Sequence, residues 1–202
     1  MPPQKHTGRT VLIVSAAALA AILVVGAILI GARAGTNTAK SGTGTGSTTG
    51  GVTLSTPDQI GSLRLATDQT RANDMRSTMS NIGLENPYAV IYQDTTVTGR
   101  TTVVWGGTGS MMARSNRSAE MSGFMTAAVR SMGGNVGNTI DVTPAPLNGV
   151  ARCADVSGTG IRFALCVWSG YDALLGVLTG GITAQQAAQQ LSTLIPAVAQ
   201  VH

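Results

Sequence analysis

The run Val11–Ala32, VLIVSAAALAAILVVGAILIGA, constrains this chain more than any other feature, because no residue in it is charged. As a helix its 22 residues measure about 33 Å, against a hydrocarbon core about 30 Å thick. Ser15, Gly26 and Gly31 interrupt it, and a spanning helix tolerates them, since the serine hydroxyl bonds back to its own turn. The run reads as one transmembrane helix over residues 11–32, whose partner is the lipid bilayer. Residues 1–10 precede it, residues 33–55 read as a Gly/Ser/Thr-rich linker, and residues 56–202 read as one folded domain.

Lys5, Arg9 and the α-amino group stand before the run, and Arg33 and Lys40 after it, so the positive-inside bias is slight. A short N-terminal segment is easily left in the cytoplasm, and two cysteines beyond the run suit an oxidising compartment. The expected topology is a signal-anchor in the cell membrane, with residues 1–10 cytoplasmic and the C-terminal domain extracytoplasmic. A cleaved signal peptide is the competing reading, with Ala32-Arg33-Ala34 as a small-x-small site and cleavage after Ala34. Against it, the apolar run is about twice as long as a signal peptide's usual apolar core.

Charge excludes one class of partner. The formal net charge of +4 arises wholly from Lys5, Arg9, Arg33 and Lys40 beside the apolar run. Residues 56–202 hold nine arginines and nine acidic residues, and no lysine. A neutral domain carries no electrostatic footprint for nucleic acid. Its tether, AGTNTAKSGTGTGSTTGGVTLS over residues 34–55, lacks apolar periodicity and is expected to behave as flexible coil spanning about 25 Å.

The remainder alternates strands and helices. Strands are predicted near Gly61–Ala66, Tyr88–Gln93, Thr101–Trp105, Val136–Val142, Gly149–Val156, Ile161–Ser169 and Ala173–Leu178. Helices are predicted over Asp68–Ile82, with Asp68 at its start, over Ser118–Met132, and after Thr183. In the second helix Met121, Phe124, Met125, Ala128, Val129 and Met132 recur at buried-stripe spacing. Pro196 is expected to kink or end the third. The fold class is α+β: a mostly antiparallel sheet, made largely of hairpins, with three helices packed on one of its faces.

Cys153 and Cys166 are the only cysteines, and Ser157-Gly158-Thr159-Gly160 lies between them. A two-residue loop at Thr159-Gly160 sets them directly opposite each other, close enough to bridge if the pair is a non-hydrogen-bonded one. Closing so short a loop stabilises by about 3 kcal/mol in the chain-entropy model. Their separation is too long for a Cys-x-x-Cys redox motif. Trp168, two residues after Cys166, is expected on the same face, in the core.

Catalytic chemistry finds little purchase. His202 is the only histidine beyond residue 10, so neither Ser-His-Asp nor Cys-His catalysis has its base, and no zinc ligand set exists. Neither a metal nor a cofactor is expected. Asp141, Asp155 and Asp172 could serve as paired carboxylates, although nothing in their spacing joins two of them. Trp105-Gly106-Gly107-Thr108-Gly109-Ser110 has the look of a phosphate loop but lacks the Gly-Lys-Ser/Thr ending, so a plain turn is the better reading, and nearby Arg114 and Arg117 read as solvated. Met111 and Met112 remain as a candidate exposed apolar patch.

The stretch Val150-Ala151-Arg152-Cys153, then Cys166-Val167-Trp168-Ser169-Gly170-Tyr171-Asp172, then Leu174-Leu175-Gly176-Val177 before a final helix, resembles a group of actinobacterial proteins. These are single-pass membrane proteins or lipoproteins with a small disulfide-containing extracytoplasmic α+β domain. The resemblance covers about the last third of the chain, plus the layout of anchor and linker. It implies the disulfide hairpin and an envelope location, and it implies no activity, so no catalytic residue is carried over. Three functions compete: a non-catalytic binding or accessory role in the cell envelope, with an envelope protein or cell-wall component as partner; a carrier or sensor of a small apolar ligand; and, last, a hydrolase using carboxylates.

Overall fold

A computed structural model of the chain describes residues 51–81, 86–108, 117–143, 148–158 and 161–202. The expected cytoplasmic segment, the transmembrane helix over 11–32 and the linker up to residue 50 lie outside the described residues. Among the described residues no helix is long and apolar enough to cross a membrane.

The described chain is α+β. Eight strands form one antiparallel sheet: β2 (Gln59–Ile60), β3 (Leu63–Leu65), β4 (Asn86–Asp94), β5 (Thr101–Thr108), β6 (Asn135–Val142), β7 (Val150–Gly158), β8 (Ile161–Gly170) and β9 (Ala173–Gly180). Their spatial order is β2-β3-β4-β5-β9-β8-β7-β6, so β9 sits at the centre against β5. Every neighbouring pair in this sheet is antiparallel. A separate two-stranded ribbon pairs β1 (Val52–Leu54) with β10 (Ala199–Val201). Three helices stand among the described residues: α1 (Thr70–Asn81), α2 (Arg117–Ser131) and α3 (Ala184–Val198).

The helices do not share a face, and here the sequence expectation is corrected. One face gathers Tyr88, Val90, Tyr92, Val104, Cys153, Cys166, Trp168, Leu175 and Val177 beneath α3. The opposite face gathers Ala89, Trp105, Ala154, Val156, Leu165, Val167 and Leu178 beneath α1 and α2. The reason lies in β8, where Ala164 to Trp168 is a continuous apolar run with every residue at 0% exposure. Such a run needs cover on both sides, whereas a one-faced strand alternates apolar with polar. The sheet also curls, because α3 touches β6 at one edge and β2 at the other. Both edges are blunt: β2 has two residues, and β6 carries a bulge between Val136 and Thr139.

Local chemistry sets the helix ends. Thr183 and Gln186 close a reciprocal capping box at the start of α3. The helix runs two residues past Pro196, and its end at Val198 is where the expected break falls. Helix α1 opens at Thr70, two residues after the expected start at Asp68; the Thr70 amide donates to the Asp68 carboxylate at 2.9 Å, and this bond holds the Asp68 carboxyl below its ordinary range. Gln69 replaces a strand residue where β3 has ended: its amide donates to the carbonyls of Ala66 and Ile91, and its oxygen accepts from the Ile91 amide at 3.0 Å.

Candidate functional site

The folded unit begins earlier than residue 56. Val52–Leu54, expected to be coil, pairs with Ala199–Val201, and Val52 is buried. The physical reason is the alternation of apolar and polar residues in Val52-Thr53-Leu54, matched by Ala199-Gln200-Val201 at the other end of the chain. Each is too short to stand out from its surroundings, and each needs the other.

From this ribbon, residues 51–58 run as a strap over the α3 face. The amide of His202 donates to the Gly51 carbonyl at 3.1 Å, and the amide of Ser55 donates to the Val198 carbonyl at 2.8 Å. The Ser55 hydroxyl donates to the carbonyls of Ala197 and Val198. The Val52 amide donates to the Asp172 carboxylate at 3.2 Å. The floor supplies two phenols four residues apart on one face of β4: Tyr88 donates to the Ser55 carbonyl at 2.9 Å, and Tyr92 donates to the Pro57 carbonyl at 3.1 Å. Burial pushes both hydroxyls above the ordinary tyrosine range; for Tyr92 the neighbouring Tyr88 and Asp58 push the same way. Nearly all of this recognition addresses the strap's main chain.

Asp172 reaches the strap from the two-residue turn Tyr171-Asp172, where Gly170 pairs with Ala173. Tyr171 occupies the left-handed region at φ 50°, an uncommon place for a bulky side chain. The strain therefore sits beside a residue that ties down the strap.

Asp94, Asp141 and Asp155 also have partners, each a different one. Asp141 accepts from Arg152 Nε at 2.6 Å, and that bond holds its carboxyl below the usual range. Arg152 also reaches the Ser122 hydroxyl, joining β7 to α2. Asp155 accepts from the Ala184 amide at 2.6 Å and so caps α3 from the sheet. Burial raises the Asp94 carboxyl, but the Thr96 hydroxyl and amide and the Arg100 guanidinium outweigh it and leave it below the ordinary range. Among the described residues no three His, Cys, Asp or Glu side chains are placed to hold a metal ion.

Cys153 and Cys166 form a disulfide, in the register the two-residue loop requires. Their Cα atoms stand 4.0 Å apart, the close spacing of a non-hydrogen-bonded antiparallel pair. Both are fully buried beneath α3 with Trp168.

The described part of the glycine-rich stretch, up to Thr108, is strand rather than turn. Gly106, Gly107 and Thr108 belong to β5 and are paired with both β4 and β9. A Cβ on Gly106 would lie 1.9 Å from the Leu174 carbonyl oxygen, so only glycine lets the two backbones approach there. Gly176, paired with Trp105, leaves room for the indole, which a Cβ there would meet at 2.6 Å. Backbone amides used in ladders do not cradle phosphate. Gly109, Ser110, Met111, Met112 and Arg114 lie outside the described residues, as does the side chain of Arg117. Met121 and Met125 are core, as their spacing predicts.

A second polar cluster escaped sequence reasoning. Thr102 and Thr179, both essentially unexposed, face each other at 3.0 Å across β5 and β9. Thr179 donates to Gln190 Oε1 at 2.9 Å, and Gln190 Nε2 donates to Thr102 at 3.3 Å. The three side chains close a ring that satisfies itself beneath α3.

No family model matches the chain, and no curated protein or solved structure matches it.

Proposed function

We propose that this chain is a single-pass membrane protein, anchored by residues 11–32 with its N-terminus in the cytoplasm, whose C-terminal unit performs a non-catalytic binding or accessory role in the cell envelope. The partner is an envelope protein or a cell-wall component, in keeping with the actinobacterial proteins that its C-terminal third resembles. The observation that carries the reading is the use made of the carboxylates. Asp141, Asp155 and Asp172, the carboxylates the sequence offers for acid–base work, and likewise Asp94, each hold a structural contact in a different part of the fold. A disulfide supports an extracytoplasmic setting, because such bonds persist in oxidising compartments.

The test has two parts. Carbonate extraction of native membranes should leave the full-length chain in the pellet; a soluble product beginning at Gly35 would overturn the anchor. Cross-linking in intact cells, followed by purification of the full chain, should then return the same envelope component in repeated preparations. A chain that stays in the membrane and returns none would remove the binding role while sparing the anchor.

A further inference from the structure

We propose that the strap, residues 51–58, exchanges between copies of this chain: the strap of one copy seats in the groove of another, pairing its β1 with the neighbour's β10. The groove's occupant is visible in the closed chain. Its β10 ladder, its Tyr88 and Tyr92 hydroxyls and its Asp172 carboxylate are matched to this strap, and every copy carries the same strap. A second copy's strap would make identical contacts, so closed and exchanged forms differ chiefly in the effective concentration of the strap and in hinge strain.

The strap is also free to leave. Gly51 and His202 are both exposed, so removing the strap drags no other element among the described residues through the fold. The hinge is Thr56-Pro57-Asp58, before β2. Proline fixes its own φ and holds the preceding residue extended, which leaves the hinge few torsions to reset on opening. Departure uncovers the apolar floor around Tyr88, Val90 and Tyr92, and this drives capture of another strap. Residues 1–50 precede the strap, and SGTGTGSTTG over residues 41–50 offers no apolar side chain to compete for the groove.

Thr53 and Gln200 are directly paired and both exposed, which makes the proposal testable with full-length protein in mild detergent. A chain carrying Thr53→Cys is mixed with a size-tagged chain carrying Gln200→Cys, incubated, then treated with a short bifunctional thiol cross-linker. The expected result is a cross-linked heterodimer that grows with concentration and exceeds, several-fold, a control in which the partner carries Thr193→Cys on the exposed side of α3. The double variant T53C/Q200C should give an intrachain bridge in dilute solution, showing that the substitutions preserve the fold and the pairing. A synthetic peptide of residues 51–58 at millimolar concentration should suppress the heterodimer. Heterodimer no more abundant than the control, while the double variant bridges, overturns the exchange. A double variant that does not bridge, or a heterodimer that the peptide leaves untouched, overturns the groove as its seat.

Discussion

The two phenols on β4 act as main-chain clamps, and a clamp made of a neutral hydroxyl is sensitive to alkali. Tyr88→Phe and Tyr92→Phe each remove one hydrogen bond to the strap, and each should lower stability by about 1 kcal/mol at neutral pH, read from urea midpoints. The pH dependence follows from the raised values of both groups. Their contribution is full below the unfolded tyrosine value of about 10 and is lost as pH rises towards the higher folded values. The stability gap between the native chain and the double Phe variant should therefore shrink from pH 9 upward to about 12. A gap that stays constant over that range would mean the hydroxyls do not hold the strap. Gly106 offers a steric counterpart. Gly106→Ala forces a Cβ onto the Leu174 carbonyl and separates β5 from β9 at the sheet centre, at a cost of several kcal/mol by thermal melts. A glycine needed for close approach looks, in sequence, like one needed for a turn. For that reason Trp105-Gly106-Gly107 reads as the end of a strand and the start of a loop, when the strand continues.

Among elements, α3 shows which signals survive in sequence and which do not. Its capping box is legible as Thr183 followed three residues on by Gln186, and its buried stripe as Ala187, Ala188, Leu191, Leu194, Ile195 and Val198. Asp155, the second group at the same helix start, sits 29 residues earlier on β7 and carries no local signal at all. Thr183→Ala and Asp155→Ala should each lower stability by about 1 kcal/mol. Their combined cost should fall short of the sum if each cap partly replaces the other, and a double-mutant cycle measures that coupling. The disulfide hairpin was legible because register is arithmetic once a tight loop is assumed. The two-faced packing was legible too, in the unbroken apolar run of β8, but hairpin-rich order pulled the reading towards a sheet with one covered face. The strap was not legible: β1 and β10 have three residues each, and neither has meaning until these two segments, far apart in the chain, meet.

Across the whole molecule, stability is distributed unevenly around the central strands. Amides of β8 and β9, enclosed by strands on both sides and helices on both faces, should exchange with deuterium only on global unfolding. Those of β1 and β10, held by a three-pair ribbon at the rim, should exchange through local opening at much lower free energy. Hydrogen exchange resolved by residue separates the two cases, and equal protection would contradict a detachable strap. The ring of Thr102, Thr179 and Gln190 belongs to this scale as well, because it joins β5, β9 and α3 without any charge.

The bridge between Cys153 and Cys166 joins residues 13 apart in the chain, yet both sulfurs end beneath a helix contributed by residues 184–198. An oxidant meets them only before that lid is in place. Sulfur chemistry is thus a step of assembly: the hairpin can be sealed before the last helix docks, and the helix then closes over a bond already made. A finished molecule keeps that covalent record out of reach of any thiol until the lid lifts.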